Sequence, residues 1–277
     1  PIDLVVSNLY PFASNPGTEL IDIGGPTMVR AAAKNNAHVG IVIDPMDYES
    51  TLEEIKANGS LCSETRLHLA QKAFEHTAAY DAEISNWLTQ DNEELPNSLH
   101  IDFKKTQTLR YGENPHQTGS RYRNTKKSSW WDSAVMHGGK EMSYLNVYDT
   151  DAAWRLVHSL SEEPSAVIIK HANPCGAAIS TDVTSAYQLA YECDPISAFG
   201  GITAVNREVT KDMAERLTEV FMEVLVAPGF TPEALEILCS KKNLRILEAE
   251  KPEQPSFQMR SIGNSLLVQT SDVFKTK

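Results

Sequence analysis

The sequence predicts an α/β fold, because strand-like runs alternate with helix-like segments along it. In the first hundred residues, apolar β-branched runs at 4–6 and 39–43 alternate with segments of helical periodicity at 27–36 and 63–87. Alternation of this kind is typical of a parallel sheet covered by helices. The chain has 277 residues, more than one domain of typical size, and this length favours two domains.

A polar break separates the two predicted domains. Residues 92–97 interrupt the second helical pattern and include Pro96, a residue that cannot continue a helix. We therefore place the boundary near residues 95–108, with one domain over residues 1–100 and the other over residues 101–277.

The second predicted domain continues the alternation. Its segments are, in order, a strand at 120–123, a helix at 149–159, a strand at 166–169, a helix at 185–192 and a strand at 202–205. Asp149 or Thr150 is the expected N-cap of the first of these helices, because either side chain can accept a hydrogen bond from a free helix amide.

The composition argues against several classes of protein. The formal net charge is −12 and the lysine and arginine clusters are short, so we expect no nucleic-acid partner. The four cysteines are far apart and form no CxxC pair, which favours reduced thiols over a zinc ribbon or a disulfide framework. No apolar run has the length of a bilayer span and no leader pattern begins the sequence, so we expect a cytoplasmic protein without membrane contact.

Three compact polar motifs carry the strongest functional signal. They read LRYGENPHQ at 109–117, KHANPCG at 170–176 and DPISAFGG at 194–201. Each combines titratable side chains with glycine or proline. A binding site needs this combination and an ordinary core strand does not.

The second motif places Lys170 and His171 at the end of the predicted buried strand, with a turn expected at Asn173 and Pro174. Ligands of open α/β sheets bind beyond the carboxyl ends of strands, so both side chains are expected at a site edge. A histidine can accept a proton near neutral pH, and a lysine can stabilise an oxyanion. The alternative is structural, with Lys170 extending into solvent and His171 hydrogen-bonded to a carbonyl.

A weaker signal, IGGPT at 23–27, lies directly before a helical segment. Its glycines could let a phosphate approach the free helix amides, although turn chemistry explains them equally well. Arg30 and Lys34 are four residues apart and share a helix face, either within a site or as a solvated basic pair. Tyr10 either packs under its loop or presents its hydroxyl to a substrate.

The sequence as a whole resembles the family of bifunctional enzymes that carry AICAR transformylase and IMP cyclohydrolase activities. Besides the three motifs, the resemblance rests on SNLYPF at 7–12, IDIGG at 21–25, AAAKN at 31–35 and VAPG at 226–229. It implies a partial methylglyoxal-synthase-like parallel sheet domain followed by a cytidine-deaminase-like α/β transformylase lobe. It also implies the last two steps of purine biosynthesis. These are formyl transfer from 10-formyltetrahydrofolate to AICAR, giving FAICAR, and dehydrative cyclisation of FAICAR to IMP.

The resemblance implies roles for individual residues. In the cyclohydrolase half Lys34 acts in proton transfer, and the candidate substrate-binding residues are Asn8, Tyr10, Asp22, Ile23 and Gly24. In the transformylase half His171 accepts a proton and Lys170 stabilises the transition state, and the candidate AICAR-binding residues are Arg110, Tyr111, Gly200 and Glu223.

The resemblance also implies small-molecule partners and a homodimer. No metal is expected, because the chain lacks the His/Cys-x-Glu and Pro-Cys-x-x-Cys ligand pattern of the zinc deaminases.

Relative to the family, the chain has the appearance of a central fragment. Strand-like residues begin at once at Ile2, and the family's later AICAR contacts and much of its folate site have no counterpart before Lys277. An alternative is therefore a truncated, non-catalytic fragment that binds a nucleotide phosphate or self-associates only. A small-effector regulatory module based on the first domain is disfavoured, because the densest motifs lie after residue 108.

Overall fold

The computed structural model describes residues 1–89 and 95–272. It divides into two compact units, one formed by Pro1–Asp102 with Phe257–Lys277 and the other by Phe103–Ser256. The α/β class is confirmed, since both units combine strands with helices.

The first unit is built around a parallel pair of short strands. Its elements are β1 (Leu4–Val6), α1 (Gly24–Lys34), β2 (Gly40–Val42), α2 (Tyr48–Asn58) and α3 (Ser63–Thr89). Strand β1 runs parallel to β2, as the alternating pattern predicts. Apolar residues of α1, β2 and α3 form the core, among them the fully buried Val29, Ala33, Ile41 and Ala73.

Helix α1 begins three residues before its predicted start at residue 27. The Asp22 carboxylate accepts a hydrogen bond of 2.7 Å from the Gly25 amide and so satisfies a free amide of the first turn. Gly24 and Gly25 therefore belong to the helix and do not form a separate turn before it.

The second unit contains a six-stranded mixed sheet and a separate antiparallel pair. Its strands are β3 (Phe103–Leu109), β4 (Gly119–Asn124), β5 (Val135–Gly138), β6 (Ser165–Lys170), β7 (Asn173–Ile179), β8 (Ile202–Val205), β9 (Val224–Ala227) and β10 (Arg245–Glu248). The sheet order is β5-β10-β9-β8-β6-β7, and β3 pairs only with β4. Strands β8, β9 and β10 are mutually parallel, whereas β6 is antiparallel to both of its neighbours.

Helices cover both faces of this sheet. They are α4 (Trp130–Ser133), α5 (Tyr144–Leu160), α6 (Val183–Cys193), α7 (Pro195–Ala198), α8 (Lys211–Leu217) and α9 (Pro232–Cys239). In β6, Ala166 and Ile168 pack with the cluster that includes α6, α8 and α9, while Val167 and Ile169 pack with α5. Burial on both faces explains why the strand reads as a continuous apolar run.

The predicted start of α5 at Asp149 or Thr150 is wrong. The helix begins at Tyr144, where Ser143 and Asn146 form a capping box. The sequence Ser-x-x-Asn satisfies the free amides more than one turn earlier, so Asp149 lies within the helix and its carboxylate is free to bond elsewhere.

Two further elements complete the described chain. Strands β11 (Phe257–Ile262) and β12 (Ser265–Thr270) form an antiparallel hairpin. Within residues 1–89 and 95–272, none of the helices has both the length and the apolar character of a membrane span. The predicted limits of the two domains stay predictions.

His158 gives the second unit a pH-dependent stability. Burial lowers the pKa of this α5 side chain to about 4, with Lys251 acting in the same direction. Since the unfolded chain binds the proton near pH 6.5, unfolding takes up a proton between these values, and the free energy of unfolding should fall as the pH falls from about 6.5 to about 4. Urea unfolding at pH 7.5 and pH 5 should show this loss, and His158→Leu should reduce it. An unchanged pH dependence in the variant would show that other groups cause it.

Candidate active site

The predicted site edge lies where β6 ends and where β7, β8, β9 and β10 begin. Strand β6 ends at Lys170, and its antiparallel pairing sets Ile169 opposite Ile202, at the start of β8. Strand β9 is parallel to β8 and begins beside it at Val224, and β10 is parallel to β9 and begins beside Val224 at Arg245. The edge thus combines the carboxyl ends of β5 and β6 with the amino ends of the other four strands of the sheet, in contrast to the uniform carboxyl edge of an all-parallel sheet.

The turn that carries His171 has an unusual backbone. Only His171 and Ala172 separate β6 from β7, and their φ angles are 55° and 56°. Among the described non-glycine residues, these two alone have positive φ. Two-residue hairpins favour such angles, but a side chain with a Cβ destabilises them by roughly 1–2 kcal/mol per residue. The predicted turn at Asn173 and Pro174 is wrong, because both residues already belong to β7.

Asp149 stabilises this strained turn from the middle of α5. Its Oδ2 accepts a hydrogen bond of 3.2 Å from the His171 amide, and its Oδ1 accepts one of 2.8 Å from the Ala172 amide. The side chain is buried, and this burial raises its pKa against the opposing effect of the two amides. His171 itself remains exposed, so its imidazole is accessible to a ligand.

Lys170 reaches the loop that contains Gly200. Its Nζ donates a hydrogen bond of 2.8 Å to the carbonyl oxygen of Phe199. Gly200 follows with a φ of 72°, a conformation that favours glycine, and its amide donates to the Phe221 carbonyl at 2.8 Å. The hydrogen bond from the Lys170 ammonium group therefore links the second motif to the third. The predicted loop at 194–201 includes the short helix α7 before Gly200.

Glu223 lies at the same edge and pairs with a buried arginine. Its Oε2 is 2.6 Å from Nη1 of Arg245, which is 3% exposed and also donates to the carbonyl of Glu141. The Glu223 amide donates a hydrogen bond of 2.9 Å to the Gly201 carbonyl. Glu223 therefore lies directly beside the Gly200 loop, on the neighbouring segment of the sheet. About 38% of the Glu223 side chain stays exposed and can accept a ligand donor.

Arg110 and Tyr111 follow β3 and lie against the start of α5. The Arg110 amide donates to the carbonyl of Met142, and the Tyr111 carbonyl accepts from the amide of Tyr144, both at 3.1 Å. The guanidinium lies 5.4 Å from the centre of the Tyr111 ring, within cation–π range. Helix α5 therefore contacts two of the motifs. Its first residue, Tyr144, bonds to the first motif, and Asp149 bonds to the His171 turn.

The candidate residues of the first unit cluster around Asp22. Its Oδ2 accepts from the Tyr10 amide at 3.4 Å, and its Oδ1 accepts from Gly25. Nearby, Asn8 donates to the Ile43 carbonyl and accepts a hydrogen bond of 2.9 Å from Tyr48. The side chains of Tyr10 and Ile23 are exposed. The Gly25 amide, to which a phosphate could bind, already donates a hydrogen bond to Asp22.

Lys34 lies at the other end of α1. It is the last of the eleven residues of the helix, so by helical rise it is about 15 Å from Gly24. Only an elongated ligand could touch both ends. The guanidinium of Arg30 lies over the Phe74 ring at 5.7 Å, and Arg30 and Lys34 are both exposed.

Sequence reasoning alone misses Asp149 and Arg245 as site residues. The sequence favours Asp149 as a helix cap. The only sequence signal for its contact with the His171 turn is the presence of a carboxylate within an amphipathic helix. Arg245 begins a strand and has no local motif. Among the described residues, no group of three or more His, Cys, Asp or Glu side chains is placed to hold a metal ion.

Comparison with known proteins identifies close relatives. A model of the family described as "AICARFT/IMPCHase bienzyme" matches residues 32–277. The chain is 49% identical, over 286 aligned residues, to the bifunctional purine biosynthesis protein PurH of Bacillus cereus, and equally to that of Bacillus anthracis. Each alignment covers 98% of this chain and 56% of the relative, so the chain spans about half the length of these curated relatives.

One solved structure is also similar in sequence. The structure titled "Crystal structure of ForH" is 36% identical over 33% of this chain and 53% of its own. Its TM-score is 0.30, which is too low to support any comparison of folds.

Proposed function

The chain belongs to the AICARFT/IMPCHase bienzyme family, and from that premise we propose that its second unit contributes to an AICAR formyltransferase and its first unit to an IMP cyclohydrolase. The family match favours this enzymatic function over a non-catalytic fragment. The observation that carries the proposal is the sheet edge at which Lys170, His171, the Gly200 loop and Glu223 meet.

Formyl transfer needs a base, an oxyanion stabiliser and an acid. The 5-amino nitrogen of AICAR attacks the formyl carbon of 10-formyltetrahydrofolate, its proton passes to His171, and the oxyanion that forms is stabilised by Lys170. When the intermediate collapses, the bond from carbon to folate N10 breaks and N10 takes up a proton. An exposed imidazole beside a lysine suits these tasks. Glu223, Arg110, Tyr111 and Gly200 bind AICAR in this proposal.

Cyclisation would use the first unit. The carboxamide nitrogen of FAICAR attacks the formyl carbon, a bond forms between them, and water leaves. Lys34, Asp22 and Tyr10 have the chemistry to move the protons, and Asn8, Ile23 and Gly24 would contact the nucleotide. Because Asp22 and Lys34 lie at opposite ends of α1, FAICAR would have to extend along the helix to contact both residues.

We extend the proposal to the finer properties of the family. The first domain, residues 1–100, is a methylglyoxal-synthase-like sheet domain, and residues 101–277 are part of a cytidine-deaminase-like transformylase domain. The protein acts in the cytoplasm as a homodimer and uses 10-formyltetrahydrofolate as its formyl donor, without a metal. Light scattering at micromolar concentration tests the dimer, and a strict monomer would contradict it.

The first test is calorimetric titration of this chain with AICAR. We expect saturable binding that Lys170→Ala weakens at least about tenfold, because loss of a hydrogen bond from a charged group costs at least about 1.4 kcal/mol. His171→Ala should weaken binding by a smaller factor, because its neutral imidazole contributes a hydrogen bond of about 1 kcal/mol. Lys211→Ala is the matched control, since this exposed lysine of α8 pairs with Glu215 at 3.8 Å and is not among the candidate site residues. Circular dichroism establishes that each variant is folded. Binding that is unaffected by both site substitutions would place the AICAR site elsewhere.

A further inference from the structure

The His171 turn cannot owe its conformation to its own sequence. Two-residue hairpins with positive φ at both positions favour asparagine and glycine, yet this turn has histidine and alanine with φ angles of 55° and 56°. Ala172 offers no side-chain hydrogen bond, and Asn173 donates only to the His171 carbonyl, at 2.8 Å. Another part of the chain has to stabilise the turn.

Asp149 is that part of the chain. Each of its oxygens accepts a hydrogen bond from one of the two turn amides, at 3.2 Å and 2.8 Å. The residue lies in the interior of α5, whose Ala153, Trp154 and Val157 are fully buried against the sheet. A buried carboxylate on a packed helix is a rigid acceptor, and the pair of bonds fixes the orientation of the peptide planes on either side of the His171 Cα.

We propose that Asp149 is a positioning residue, which holds the left-handed His171–Ala172 turn and thereby fixes the place of the His171 imidazole beside Lys170. The inference rests on the proposed function, in which His171 accepts the proton. Among the described residues, the hydrogen bonds of Asp149 go to the two backbone amides of the turn, so it acts through His171 and not on the substrate.

Asp149→Asn is the decisive variant. The amide keeps the size of the side chain and one acceptor oxygen, but its NH2 group faces an amide donor, so one of the two bonds is lost. We expect kcat for formyl transfer to fall about 10- to 100-fold, while KM for AICAR changes less than about threefold, since positioning acts on the reacting geometry. Asp151→Asn is the matched control, because this second α5 carboxylate pairs with Arg155 at 2.9 Å and accepts a hydrogen bond of 3.0 Å from Trp130, while the described hydrogen bonds of the turn go to Asp149.

A rescue experiment separates positioning from general stability. Ala172→Gly allows the left-handed conformation without a carboxylate, so the double variant Asp149→Asn/Ala172→Gly should recover most of the lost kcat. Kinetics are measured at a temperature at which circular dichroism shows every variant folded. A wild-type kcat in Asp149→Asn, or no recovery in the double variant, would overturn the inference.

Amide hydrogen exchange tests the same contact without activity. In this chain the His171 and Ala172 amides should exchange roughly tenfold faster or more in Asp149→Asn than in the parent, because local opening controls their protection, and Asp151→Asn should leave them unchanged. Faster exchange in an enzyme that transfers no formyl group would refute the proposed function and leave the structural contact in place. Unchanged exchange would refute the role of Asp149 itself.

Discussion

In the proposed formyl transfer, replacement of His171 by alanine should lower kcat by about 100- to 10,000-fold, the usual contribution of a general base. The 5-amino group of AICAR is a poor nucleophile, so loss of the proton acceptor acts on the transition state more than on substrate binding. KM for AICAR should therefore change much less than kcat. The exposed imidazole and its rigid turn are the structural basis of this expectation.

Two controls make this prediction specific. Added imidazole should restore part of the activity of His171→Ala, because it can enter the space left by the side chain. Lys211→Ala should behave as the parent does. Retention of more than a tenth of the parent kcat by His171→Ala would show that another group accepts the proton.

Gly176→Ala should destabilise the second unit by at least about 3 kcal/mol, the upper part of the range for overpacked cores. The Cβ of alanine would stand 2.8 Å from the carbonyl carbon of Ala190 in α6, and closer still to its oxygen. Both groups belong to backbone, so neither a rotamer change nor a flexible side chain can relieve the clash. The glycine of the second motif therefore serves the packing of β7 on α6.

Urea unfolding followed by tryptophan fluorescence measures the effect. Gly229→Ala is the control in the same unit, because its added Cβ would be no closer than 3.8 Å to another residue, Glu208. We expect the control to lie within about 1 kcal/mol of the parent. A Gly176→Ala variant as stable as this control would mean that β7 and α6 can move apart easily.

Elements with a strong local signal are predicted well. The strand predicted at 166–169 is β6, the strand predicted at 202–205 is β8, and the helix predicted at 185–192 is α6 with small changes at its ends. In β6 the signal is burial on both faces, which produces an unbroken apolar run. Strands β9 and β10 are not predicted, although both are buried, because four-residue apolar runs are ambiguous without their neighbours.

The geometry of the candidate site depends on long-range contacts that no local pattern reveals. The sequence predicts the turn at Asn173 because asparagine and proline favour turns, whereas the actual turn depends on Asp149, which precedes His171 by 22 residues. The bonds from Lys170 to Phe199 and from Arg245 to Glu223 also join distant segments, 29 and 22 residues apart. Family resemblance indicates which residues to consider, but not these contacts.

The strands of the six-stranded sheet have their ends along two opposite edges of the sheet, and only one of these edges carries the candidate site. This arrangement has a practical consequence for protein engineering. The candidate site uses the edge at which β6 ends and β8, β9 and β10 begin, so the connections at the opposite edge do not set its geometry. Between Ser180 and Thr181, at that opposite edge, the chain is partly exposed and lies just ahead of the Asp182 cap of α6. A peptide tag or a fluorescent reporter inserted there would lengthen a surface connection and leave the strand ends that carry Lys170, His171 and Glu223 unaltered.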